Sequence, residues 1–103
     1  MDIKLLLGKR IQELRKSKNY TQEYMAEMIG IETASLSNIE RGKYYPTAEN
    51  LNKILTILDV EAEELFSFNH LAPYQDLLRE MVDVLKNDEK LTRLIYKFYK
   101  LVK

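Results

Sequence analysis

The sequence predicts an all-α fold: a five-helix bundle followed by a carboxyl-terminal two-helix hairpin. Three observations predict it. Apolar residues recur every three to four positions along the chain, and no stretch alternates with the period of two that a half-buried strand shows. Short polar residues that cap helices, Thr21, Thr47 and Asp88, stand just ahead of such runs. The stretch from Gln22 to Arg41, QEYMAEMIGIETASLSNIER, divides at Gly30 into two short helical patterns joined by a tight turn.

Each element follows from local chemistry. Ile3, Leu6, Leu7, Ile11 and Leu14 give a first helix that stops near Lys18-Asn19. Thr21 can cap a second helix from Gln22 to Ile29. Gly30 supplies the left-handed conformation that ends it, which costs a residue with a Cβ about 1–2 kcal/mol. A third helix spans about Thr33 to Arg41 and ends at Gly42. Ala26 is small enough to let it cross close above the second, with Met25, Ile29, Ile31, Leu36 and Ile39 in the angle between them. Pro46 enforces an extended lead-in, and Thr47 caps a fourth helix carrying Leu51, Ile54, Leu55 and Leu58. Asp59 follows, a residue that tolerates the left-handed region better than most. A short fifth helix, Ala62 to Phe66, closes the bundle. Composition shifts at Ser67-Phe68-Asn69-His70, and Pro73 follows. The expected organisation is therefore a bundle over residues 1–68, a linker over 69–73 and a helical hairpin over 74–103.

Composition narrows the function. A chain of 103 residues can bury about 60–65% of the surface that its unfolded form exposes, enough for one domain with an extension. It has no cysteine, so disulfides and thiolate metal sites are excluded. Three consecutive leucines near the amino terminus are too few for a signal peptide or a membrane span, so a cytoplasmic protein is expected. Catalysis finds no footing, and no cofactor is implied. His70 stands alone at a boundary, Glu63 and Glu64 are adjacent and so point to different helix faces, and there is no glycine-rich phosphate loop.

The third helix carries the functional signal. With its apolar side turned to the second helix, what remains outward is short and uncharged: Thr33, Ala34, Ser35, Ser37 and Asn38. Such a face suits the floor of a DNA major groove, and solvated helices are dominated instead by long Lys and Glu side chains. Asn38 is the best single reader, because its amide can pair bidentately with adenine N6 and N7. The methyls of Thr33 and Ala34 can meet thymine methyls, and Ser35 and Ser37 can donate to bases or phosphates.

At these residues the chain resembles the helix-turn-helix family of phage repressors, Cro proteins and their bacterial relatives. The resemblance runs from about Gly8 to Phe66, taking in GKRIQELRKSKNYTQ, NIERGKYYPTAENL and ILTILDVEAEELF. It implies a regulator that binds double-stranded operator DNA as a two-fold dimer, most often to repress. It also implies roles. Thr33, Ala34, Ser37 and Asn38 would read bases, while Thr21, Gln22, Ser35, Arg41, Lys43 and Tyr44 would contact phosphate. Arg15 and Glu40 fit an ion pair that ties the first helix to the end of the third. Glu32 departs from the pattern: relatives carry Ser or Thr there, and a glutamate repels phosphate unless it accepts from cytosine N4.

Charge sits awkwardly with this reading. Sixteen basic residues balance sixteen acidic ones, whereas a DNA-binding domain is expected to be basic. Distribution softens the conflict, since Lys9, Arg10, Arg15, Lys16 and Lys18 cluster with only Glu13 among them. Beyond Pro73 the resemblance ends. Tyr74, Leu77, Leu78, Met81, Val82 and Leu85 form one apolar stripe, and Leu91, Leu94, Ile95, Phe98, Leu101 and Val102 another. Two helices of this length are marginal alone and their stripes must be covered. A homodimer interface over residues 71–103, packing back on the bundle, and a grip on a protein or peptide partner, as in an antitoxin, all answer that need. Tyr96, Phe98 and Tyr99 exceed what one apolar face requires and suit an interface.

Overall fold

A computed structural model describes residues 2–103 as seven α-helices, with no strand among them. They run α1 (Ile3–Ser17), α2 (Gln22–Ile29), α3 (Thr33–Glu40), α4 (Ala48–Leu58), α5 (Ala62–Leu65), α6 (Tyr74–Asn87) and α7 (Glu89–Val102). Where a plain linker was expected, a 3-10 turn spans Asn69–Leu71. Among the described residues no helix is long and apolar enough to cross a membrane.

Local chemistry sets the boundaries. Asp2 opens α1 by accepting from the amides of Lys4 and Leu5 at 3.1 and 3.2 Å. The hydroxyls of Thr21 and Thr47 cap α2 and α4, accepting from Tyr24 N and Asn50 N. Asp88 caps α7 through Leu91 N at 2.9 Å. Gly30 (φ 88°) and Asp59 (φ 55°) take the left-handed conformation that ends α2 and α4. Asp59 pays a small steric cost there that glycine would not.

Contacts divide the chain into a unit ending at Asn69 and a unit beginning at His70. The first unit has a closed core to which all five of its helices contribute. Leu7 and Ile11 come from α1, Met25, Ala26 and Ile29 from α2, Leu36 and Ile39 from α3, Ile54 and Leu58 from α4, and Leu65 from α5. Leu14, Leu51, Leu55 and Phe66 pack around it. α1 lies so close to α3 that a Cβ on Gly8 would collide with the carbonyl oxygens of Ile39 and Glu40. Arg10 of α1 donates from Nε and Nη2 to the carbonyl oxygen of Glu64, at 3.1 and 3.0 Å, and so clasps α5. In the second unit α6 packs on α7, and Thr92 Oγ1 donates to Leu85 O at 2.6 Å across the turn. No residue of α6 or α7 is buried.

Candidate nucleic-acid interface

The angle between α2 and α3 is fixed from both sides. Inside it lie Met25, Ala26, Ile29, Leu36 and Ile39, all buried. At the joint, Gly30 N and Ile31 N both donate to Ala26 O, at 2.9 and 3.0 Å, so the turn leaves few backbone groups without partners.

A buried polar lock holds the same angle from behind. Arg15 Nε donates to Glu40 Oε2 at 2.7 Å and Arg15 Nη2 to Glu40 Oε1 at 3.0 Å. The two side chains are 8% and 1% exposed. Arg15 Nη1 also donates to Tyr20 O at 2.7 Å, and Gln22 Nε2 to Glu40 Oε1 at 2.9 Å. The Glu40 carboxylate thus ties the last residue of α3 to α1 and to the first residue of α2, and the Arg15 guanidinium adds the turn before α2. No buried side-chain polar atom lacks a partner among the described residues. That condition makes a buried ion pair tolerable, and it makes removal of either partner costly.

α3 turns its other side outward. Ala34 and Ser35 are exposed, and Thr33, Ser37 and Asn38 are half-buried along the same side. Asn38 Oδ1 accepts from Arg41 Nη2. That bond uses one lone pair and leaves the amide hydrogens free to donate. After α3, Lys43 N donates to Asn38 O at 2.9 Å, and Gly42 (φ 78°) lets the chain turn against Leu5 of α1, where a Cβ would meet Leu5 Cα at 2.6 Å. Lys43 and Tyr44 both stay exposed, with Lys43 Nζ 5.7 Å from the centre of the Tyr44 ring. Thr21 is exposed at the start of α2, its hydroxyl oxygen occupied by the cap but its proton free.

Gathered on one side of the joint are therefore Thr33, Ala34, Ser35, Ser37 and Asn38 on α3, with Arg41, Lys43 and Tyr44 directly following. Gln22 reaches the end of α3: its amide nitrogen donates one hydrogen to Glu40, and the second amide hydrogen and the backbone N–H can still donate to a phosphate. The basic cluster on α1 is smaller than its composition implies. Arg15 is buried and neutralised, and Arg10 is engaged with Glu13 and Glu64, so Lys9, Lys16 and Lys18 remain as its exposed cations.

Two positions, Gly8 and Arg10, escaped the sequence reading, and so did the partner that the Gln22 side chain takes on α3. The roles of Gly8, Arg10 and the Gln22 amide depend on residues 18 to 54 positions away. Gly8 alone left a trace, because a glycine inside a helix costs roughly 1 kcal/mol and so signals a close approach.

Comparison with known proteins agrees with this geometry. Residues 8–69 match the model of a helix-turn-helix domain. The chain is 32% identical over 84 residues to the transcriptional regulator SinR of Bacillus subtilis, covering 81% of this chain and 76% of SinR. It is 33% identical over 84 residues to RstR, a cryptic phage CTXphi transcriptional repressor of Vibrio cholerae, covering 82% and 75%. Among solved structures, a chain of the SinR–SinI complex superposes with a TM-score of 0.59 at 27% identity, over 94% of this chain and 99% of that one. These alignments are longer than the first sixty-nine residues, so the likeness extends into α6.

Proposed function

This chain belongs to the helix-turn-helix family of DNA-binding transcriptional regulators, and on that premise we propose that it is a cytoplasmic repressor acting as a homodimer on a pseudo-palindromic operator. It works by occupying DNA rather than by chemistry. α3 enters the major groove, where Thr33, Ala34, Ser37 and Asn38 read base edges. α2 crosses the backbone. Thr21, Gln22, Ser35, Arg41, Lys43 and Tyr44 hold phosphates, which sets register without carrying sequence information.

The observation that carries the reading is the outward side of α3. It is small and uncharged, beside an angle locked by the Arg15–Glu40–Gln22 network. Selection of binding sites from random duplex DNA, repeated with Asn38→Ala, tests it. The variant should lose about 1–3 kcal/mol on the preferred site and relax one base position. Equal loss on preferred and random DNA would overturn the assignment of Asn38.

The dimer is supported by the second unit, whose two helices leave Leu94, Phe98, Leu101 and Val102 more than half exposed. Two copies packed through residues 71–103 would cover that surface and set two α3 helices about 34 Å apart, one turn of DNA. A second reading, in which the hairpin grips a different protein, is favoured by the likeness to a chain solved in a two-protein complex. A pull-down from native extract separates the two: a stoichiometric heterologous partner supports the second, and self-association alone the first.

A further inference from the structure

Between Glu32 and Asn38 a single residue is charged, and it stands at the end of α3 that leads into the groove. Glu32 is the residue before α3, in extended conformation (φ −72°, ψ 150°). Thr21 and Thr47 occupy the same position ahead of α2 and α4, and each caps its helix. Glu32 does not. Its carboxylate accepts nothing from the amides of α3, it is exposed, and it has no hydrogen-bond or ion-pair partner among the described residues. The structure thus holds an acceptor-only group, unengaged, beside Thr33 and Ala34.

In a major groove such a group meets phosphates and base edges. Phosphates repel it, and so do the acceptors of guanine (N7 and O6) and of thymine (O4). Adenine sets its donor beside an acceptor. Cytosine presents the N4 amino group as a donor with no acceptor of its own beside it in the groove. We propose that Glu32 is a specificity-determining residue, which accepts a hydrogen bond from cytosine N4 and disfavours every other base at that position. The proposal rests on α3 being the helix that enters the groove. On DNA without the cytosine the carboxylate is left unpaired among phosphates, so it also weakens non-specific binding. Discrimination of that kind needs a repulsive group as well as attractive ones.

The test uses the full chain and duplexes selected from random sequence. Wild type should require a C·G pair at one position of each half-site, preferring it about tenfold over other pairs. Glu32→Gln, which can donate as well as accept, should lose most of that preference while binding random duplex several-fold more tightly. Glu32→Ser, which supplies a helix cap, should do the same and unfold at an equal or higher temperature, so misfolding cannot mimic the result. Retention of every base preference by Glu32→Gln, while Asn38→Ala loses its own, would overturn the role of Glu32 and leave α3 in the groove. If neither variant alters any position, α3 is not the reading helix and the proposal falls with it.

Discussion

Leu36 in the first unit and Leu94 in the second both lie on the apolar stripe of a helix, yet Leu36 is sealed from solvent and Leu94 is 63% exposed. Amphipathic periodicity is as strong in α6 and α7 as anywhere in the chain, so periodicity does not separate them. Geometry does. Five helices crossing at angles can surround a side chain, whereas two helices packed side by side share one seam and cover each residue from one direction. The first unit also spends specific residues on close approach. Gly8 brings α1 onto α3, Ala26 lets α2 meet α3, and Arg15 and Glu40 fill what remains with a satisfied polar contact. The hairpin has no such device. A stripe of apolar residues is therefore a demand for cover, and only the first unit meets that demand from its own sequence.

Four experiments would break or sharpen this contrast. The largest effect is expected at the polar lock. Arg15→Met strands the Glu40 carboxylate and should destabilise the first unit by about 3–5 kcal/mol, with much of the loss recovered when Glu40→Met is added. Chemical denaturation of the four chains should return a coupling of at least ~0.5 kcal/mol, and strict additivity would show that the pair contributes nothing as a pair. Next comes Leu36→Ala, which should cost about 2–5 kcal/mol. Leu94→Ala should leave the unfolding of the first unit within about 0.5 kcal/mol and instead weaken self-association. If both leucines cost the same at high dilution, the units do not differ as described.

Removing residues 71–103 should leave a folded monomer whose operator affinity falls by about a hundredfold, because its half-sites are no longer linked. Light scattering and titration of labelled DNA would check both. A monomeric full-length chain at tens of micromolar, or a truncation that unfolds, would refute the dimer. The smallest effect is expected from Lys43→Ala, which should weaken all sequences alike and reduce the salt slope by about one.

What could be read in advance was whatever the backbone decides locally. The caps at Thr21, Thr47 and Asp88 and the left-handed residues Gly30 and Asp59 depend on neighbours within four positions, and each stands where the sequence placed it. The Arg15–Glu40 pair was legible through family resemblance, not through any local rule. Contacts that depend on folding as a whole were not legible. Nothing near Arg10 announces that its guanidinium will end on a backbone carbonyl of α5, and nothing near Gln22 shows that its amide will be taken by Glu40. For the same reason the cation count overstated the basic face. A cation in a sequence adds to a basic face only if folding leaves it exposed and without an acidic partner.

The clasp between Arg10 and Glu64 has a consequence for the nascent chain. α1 is made first, but the carbonyl that receives Arg10 lies fifty-four residues downstream, in a helix only one turn long. At about 5–20 residues per second, translation needs roughly three to ten seconds to supply it. Throughout that interval Leu7 and Ile11 have been synthesised while Leu65, which shares their core, has not. The core of the first unit therefore cannot be complete until α5 has been made, and a chain that ends before Leu65 lacks one of the side chains that surround Leu7 and Ile11.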